Sequence, residues 1–266
     1  MRARRNLSTK VQQTLVPLIF GIVVNTSCGR GRDAPTSDLL IVGGTVVDAN
    51  SPIAKSTVAL VDMTSSRAFC TGSLVGLRKV LTAAHCLEGI TASQIRVGVA
   101  FGLTAQRSTV IPAETLTMHP DYSPDLMSSA TPLGAPHDIA VVTLQAPAPA
   151  SHTPITVMEL DQPIRVGEAL VLAGYGLTSV TGIDRSGTLR RVTTAITALS
   201  STRKEIEFGN NPGRSACMGD SGGPAFVIRA GILRLVGVTS RGSPQCDQDG
   251  IYTDARYFKP FIDAAI

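Results

Sequence analysis

Short apolar runs, separated by glycine, serine and asparagine, recur through most of the chain. Thr57-Val58-Ala59-Leu60-Val61, Thr71-Gly72-Ser73-Leu74-Val75 and Lys79-Val80-Leu81-Thr82 come first. Ile95-Arg96-Val97-Gly98-Val99, Ile139-Ala140-Val141-Val142-Thr143-Leu144, Ala169-Leu170-Val171-Leu172-Ala173 and Leu233-Arg234-Leu235-Val236-Gly237-Val238 follow. The runs are brief, rich in β-branched side chains and bounded by turn formers, which predicts strands. Helical periodicity emerges only over 256–265, with Asp254 placed to cap it and Pro260 near its first turns. The pattern predicts an all-β, many-stranded antiparallel fold with a short C-terminal helix. It contains no tandem repeat. Residues 145–154, Gln-Ala-Pro-Ala-Pro-Ala-Ser-His-Thr-Pro, read as a linker between two halves. The Ser/Pro/Ala-rich stretch 123–136 reads as a long loop.

The first 40 residues differ from the rest. A basic start, Met1 to Lys10, precedes the apolar run 15–24, which is too short to span a membrane stably. This is the pattern of an export signal over 1–28. The alternative, a buried N-terminal helix, is opposed by Pro17, the lack of an amphipathic period and the basic flank. Asn25-Thr26-Ser27-Cys28-Gly29 resembles a bacterial lipobox, in which the cysteine becomes lipidated, although Asn25 departs from the apolar residue of that pattern. Ordinary cleavage near Ser27 is the alternative. Lipidation at Cys28 would provide the one membrane contact the sequence implies. Residues 29–40 are polar and read as a tether or propeptide.

Composition sharpens this picture in two ways. The 266 residues suffice for one large all-β domain or two halves. The formal charge of +4 is confined to the leader: residues 1–40 hold six Lys/Arg and two Asp/Glu, leaving 18 of each sign beyond. No basic patch for nucleic acid is implied. Five cysteines, Cys28, Cys70, Cys86, Cys217 and Cys246, lack the paired spacing of a zinc site. No metal or other cofactor is implied, and 98–114 offers only Glu114 as an acid for a calcium loop.

The candidate chemistry centres on Cys217-Met218-Gly219-Asp220-Ser221-Gly222-Gly223-Pro224. Taken alone, this is turn composition. Leu81-Thr82-Ala83-Ala84-His85-Cys86 and Pro136-His137-Asp138-Ile139-Ala140-Val141 supply a histidine and an acid. Alone, each has a structural reading, His85 as a surface histidine and Asp138 as a strand-edge charge. Together they give the order His, Asp, Ser. An esterase of the nucleophile-elbow type places its serine first, so that class does not fit.

Ile41-Val42-Gly43-Gly44, Thr82-Ala83-Ala84-His85-Cys86, Asp138-Ile139-Ala140 and Gly219-Asp220-Ser221-Gly222-Gly223-Pro224 resemble the hallmark segments of the chymotrypsin/trypsin-like serine proteases (peptidase S1). Gly174-Tyr175-Gly176, Ser240 and Gly250-Ile251-Tyr252 match lesser landmarks, and the resemblance covers 41–266. It implies an exported, bacterial-type member with two antiparallel six-stranded β-barrels, the first over about 41–145 and the second over about 155–266. It implies a serine endopeptidase acting as a monomer on protein or peptide substrates, secreted, periplasmic or lipid-anchored. A non-catalytic binding module on the same scaffold is the rival reading, opposed by the presence of all three triad members.

The resemblance assigns roles residue by residue. Ser221 is the nucleophile, His85 its general base, and Asp138 the group that orients the imidazole. The N–H groups of Gly219 and Ser221 form the oxyanion hole. Cleavage before Ile41 frees an amine that pairs with Asp220, which makes the chain a zymogen. Disulfides Cys70–Cys86 and Cys217–Cys246 are implied, leaving Cys28 unpaired. The substrate pocket falls to Ser215, Ala216, Ser240, Arg241, Gly242 and Gly250. Ser215 at its base is uncharged and the glycines leave room, which implies cleavage after Leu, Phe, Tyr or Met. Asp247 or Asp249 reaching the pocket would instead restore a preference for Arg or Lys. Arg241 stands where the family has tryptophan, a cation that favours acidic residues upstream of the cut. His119-Pro120-Asp121-Tyr122 matches a family surface loop with a structural role; His137 and His152 are not assigned to catalysis.

Overall fold

A computed structural model describes residues 44–90, 97–128, 135–177, 187–209, 216–243, 245–246 and 249–265. Cys28, the 29–40 segment, Ile41 and Ser215, each expected above to have a role, lie outside these residues.

Six strands close the first barrel: β2 (Thr57–Asp62), β3 (Arg67–Gly76), β4 (Lys79–Thr82), β5 (Val97–Phe101), β6 (Thr109–Met118) and β7 (Ala140–Leu144). Their order around it is β2-β3-β4-β7-β6-β5, with β5 returning to β2. Six more form the second: β8 (Ala169–Gly174), β9 (Arg190–Ser200), β10 (Glu205–Phe208), β11 (Pro224–Arg229), β12 (Ile232–Gly242) and β13 (Gly250–Asp254). Here the order is β8-β9-β10-β13-β12-β11, and β11 closes on β8 through Ala225 opposite Leu172. Every pairing in both barrels is antiparallel. Closure leaves neither sheet an exposed edge. The short β1 (Thr45–Val46) lies outside β9, with Thr45 opposite Arg191.

Each barrel is filled from alternate positions of its strands. Leu60, Leu74, Leu81 and Leu144 are fully buried in the first; Leu170, Ile206, Phe208 and Val236 are fully buried in the second. Apolar runs therefore predict strands well, and Lys79–Thr82 is a strand over those same residues. β9 shows where the pattern hides. Its buried positions are Arg190, Val192, Thr194 and Ile196, so two of the four inward side chains are polar.

The connection 145–154 is not a free tether. Its backbone is docked on the first barrel by Ala148 N–H to the Leu77 carbonyl (2.7 Å) and Thr153 N–H to the Lys55 carbonyl (3.0 Å). Proline-rich sequence here follows a packed surface path. A one-turn helix, α2 (Pro124–Ser128), interrupts the stretch read as loop; α1 (Pro52–Ser56), capped by the Ser51 hydroxyl, precedes β2. At the end of the chain Asp254 caps Arg256 N–H and grips its guanidinium. A 3-10 turn, Ala255–Phe258, then leads into α3 (Lys259–Ala265).

Candidate active site

The two barrels meet where β3 and β4 lie against the turn that precedes β11. His85 opens a 3-10 turn, His85–Leu87, just after β4. Asp138 lies at the foot of β7 and is fully buried. The His85 Nδ1 is 2.8 Å from Asp138 Oδ2, and the His85 main-chain N–H donates to Oδ1 at 2.9 Å. A carboxylate only accepts, so Nδ1 is the donor in this contact, and Nε2 lies 3.8 Å from Cys86 Sγ. Ser240 Oγ donates to Asp138 Oδ2 at 2.6 Å, and Thr253 Oγ1 donates to the Asp138 carbonyl at 2.9 Å. The buried acid is thus held by donors from both barrels, which is what a buried charge requires.

The turn carrying Ser221 is built by close backbone approach. Gly219 (φ 94°) and Gly222 (φ 78°) occupy the left-handed region that favours glycine. A Cβ on Gly219 would lie 2.9 Å from the Gly176 Cα; one on Gly222 would run into Thr82 Oγ1 and the Thr71 carbonyl. Gly222 N–H donates to the Thr239 carbonyl and Asp220 N–H to that of Cys217. Ser221 is half-buried, and its carbonyl accepts from Thr71 N–H at 2.8 Å. Ser221 and Ser240 line one cavity, so Ser240 links the Asp138 carboxylate to the space in front of Ser221.

Asp220 points the other way, into the second barrel. Its Oδ1 accepts from Gly176 N–H (2.9 Å) and its Oδ2 from Cys217 N–H (2.8 Å). Gly174 and Gly176 cover it so closely that a Cβ on either would collide with the carboxylate. Burial pushes this carboxyl up to about 6, against the downward pull of the two N–H groups.

The cavity beside Ser221 has a volume of about 140 Å³. Ala216, Ser240, Arg241, Gly242 and Gly250 line it, and no carboxylate does among the described residues. Gly250 leaves room, but the ring of Phe208 occupies that room: a Cβ there would strike Phe208, which is fully buried and packs on Tyr252. Arg241 is tied to Glu205 Oε1 (2.8 Å), whose other oxygen accepts from Arg203 (2.8 Å). Asp249 is exposed and presses on Gly209 instead of lining the cavity; Asp247 lies outside the described residues. A larger groove of about 650 Å³ lies on the side of Cys86, lined also by Asp62, Arg67, Phe69, Ile90 and Val97.

Disulfides Cys70–Cys86 and Cys217–Cys246 are both formed. The first ties the His85 turn to β3 and the second ties the Ser221 turn to the cavity wall. Loop closure of this size stabilises by roughly 3–4 kcal/mol per bridge on a chain-entropy account. His119 and His137 stack with centroids 4.9 Å apart against Phe258, and His152 meets Phe101 edge-on. Thr71, Glu205, Phe208 and Thr253 also belong to the site's surroundings, and no local sequence signal gives them a role there.

The trypsin family model matches residues 41–262. The chain is 29% identical over 220 residues to trypsin zeta of Drosophila melanogaster, covering 74% of each. It is 30% identical over 208 residues to trypsin epsilon of Drosophila erecta, covering 73% of this chain and 77% of that one. With brachyurin of Leptuca pugilator it shares 29% over 235 residues, 84% of this chain and 96% of the relative.

Proposed function

The chain belongs to the trypsin family of serine endopeptidases, and from that premise we propose that it cleaves peptide bonds through Ser221, His85 and Asp138. Ser221 Oγ attacks the substrate carbonyl while His85 Nε2 takes its proton. Asp138 holds the imidazole in the required tautomer and stabilises it once protonated. The N–H groups of Gly219 and Ser221 receive the oxyanion. The amine leaves with the proton from His85, and water then hydrolyses the acyl-enzyme by the same route. The observation that carries this reading is the His85 Nδ1 contact of 2.8 Å to a fully buried Asp138.

The chain is made as a zymogen. Cleavage before Ile41 frees an ammonium for the buried Asp220 carboxylate, which has only backbone N–H donors among the described residues. The cavity supports an apolar preference. Its 140 Å³ approach the roughly 150 Å³ in which an apolar cavity accepts benzene, so Leu or Met fits and Arg has no counter-charge among the described lining residues. Both disulfides call for an oxidising compartment, which agrees with export.

The test is hydrolysis of a peptide library by the chain matured at Ile41, beside Ser221→Ala and His85→Ala. We expect cleavage after Leu or Met, lost in both variants. Cleavage confined to Arg and Lys would overturn the pocket reading, and equal hydrolysis by Ser221→Ala would overturn the mechanism.

A further inference from the structure

Thr71 is the residue of β3 that follows Cys70, and its side chain is fully buried. All of its polar groups are engaged, and they join three segments. Its N–H donates to the Ser221 carbonyl at 2.8 Å, and its own carbonyl accepts from Thr82 Oγ1 at 2.9 Å. Its hydroxyl donates to the Gly219 carbonyl at 2.8 Å and accepts from Tyr175 N–H at 3.1 Å. The hydroxyl is therefore a bridge between the segment 174–177 and the Ser221 turn.

What it bridges matters for the direction of one N–H. The peptide plane of Met218–Gly219 carries the Gly219 N–H at one end and the Met218 carbonyl at the other. That carbonyl accepts from Leu177 N–H at 2.8 Å. The next plane, Gly219–Asp220, is held by the Thr71 hydroxyl on the Gly219 carbonyl. Gly219 lies at φ 94°, with the Gly176 Cα in the space a side chain would take. Glycine gives this link little rotational restraint of its own. Its orientation is set by the two carbonyl contacts, one from Leu177 and one from Thr71, together with the Asp220 N–H on the Cys217 carbonyl (2.9 Å), and Thr71 also anchors the neighbour of Gly176 through Tyr175.

We propose that the Thr71 hydroxyl is a positioning group for the oxyanion hole, aiming the Gly219 N–H by clamping the Ser221 turn to the segment 174–177. The proposal rests on the endopeptidase reading. Thr71 touches no reacting atom. Its effect is on how well a donor is aimed, so it acts on the transition state, in which the oxyanion exists, and not on ground-state binding.

The test compares Thr71→Val, which keeps the shape and removes the hydroxyl, with Thr71→Ser, which keeps the hydroxyl. Both are made in the full chain and matured at Ile41. Steady-state kinetics on a peptide amide are read beside the affinity for a peptide boronic acid, which mimics the tetrahedral species. We expect kcat of Thr71→Val to fall about 10- to 100-fold, somewhat less than deletion of a donor. Boronate affinity should fall in step, KM should stay within about threefold, and Thr71→Ser should restore kcat to within about threefold. Should Thr71→Val not fold, Thr71→Ala makes the same comparison with Thr71→Ser. An unchanged kcat in the variant lacking the hydroxyl overturns the proposal, as does an equal loss in Thr71→Ser or a loss residing in KM. A wild-type chain that hydrolyses nothing overturns the endopeptidase reading and this proposal with it. An active wild type with an unaffected Thr71→Val overturns this proposal alone.

Discussion

Replacing Asp220 by Asn should be nearly neutral to stability before cleavage at Ile41 and strongly destabilising after it. In the uncleaved chain the carboxyl is buried beneath Gly174 and Gly176 and pushed up to about 6 from an ordinary 3.8. A rise of that size corresponds to about 3 kcal/mol opposing folding at neutral pH. The sign follows from proton binding. Between pH 3.8 and about 6 the folded chain keeps a proton that the unfolded chain has released, so stability falls as pH rises through that window. Asp220→Asn removes this charge but presents only one acceptor to two N–H donors, at a cost of about 1–3 kcal/mol. The two effects nearly offset, and the uncleaved variant should unfold within about 2 kcal/mol of its parent. In the cleaved chain the same change leaves a buried ammonium without its partner, costing about 3–5 kcal/mol. That is a fall of roughly 6–20 °C in Tm at this size. The assay is thermal or urea unfolding of all four forms from pH 4 to 8, with disulfides intact and Ser221→Ala throughout to prevent self-digestion. An equal penalty in the cleaved and uncleaved forms would refute the pairing of Asp220 with the new amine.

Other predictions are more local. Asp138→Asn keeps the shape of the site but offers an amide N–H where His85 Nδ1–H must donate, so kcat should fall about 10⁴-fold with little change in melting. Gly222→Ala forces a Cβ into Thr82 Oγ1 and the Thr71 carbonyl at a φ of 78°, and should destabilise the contact between the barrels, read as lost hydrolysis and a lower Tm. Phe208→Ala empties the space beside Gly250 and should shift preference toward Phe and Tyr, while costing about 3–5 kcal/mol in urea unfolding.

The hallmark segments were legible because their chemistry demands particular residue types. A left-handed turn with no room for Cβ calls for Gly219 and Gly222, and a buried acid facing an imidazole calls for Asp138. Strands with apolar cores were legible too, as in β4 and β7. β9 was not, because Arg190 and Thr194 point inward, so burial alternates by two residues while the apolar pattern does not. β6 was hidden by Pro112 and by its many exposed positions. The surroundings of the site were least legible. Glu205 looks like a solvent residue in sequence, but it is buried between Arg203 and Arg241. Arg241 thereby meets an acid of its own chain, a feature no local spacing discloses. Phe208 and Thr71 gain their roles from contacts across the sheet and between the barrels. A single sequence carries no register between β10 and β13, and so it cannot place the Phe208 ring against Gly250.

The most direct measurement is labelling of the mature chain with a fluorophosphonate, followed by mass mapping of the adduct and N-terminal sequencing. One adduct is expected, on Ser221, in a chain beginning at Ile41, with labelling abolished by His85→Ala. An intact mature chain that takes no label, or takes it on another serine, would contradict it.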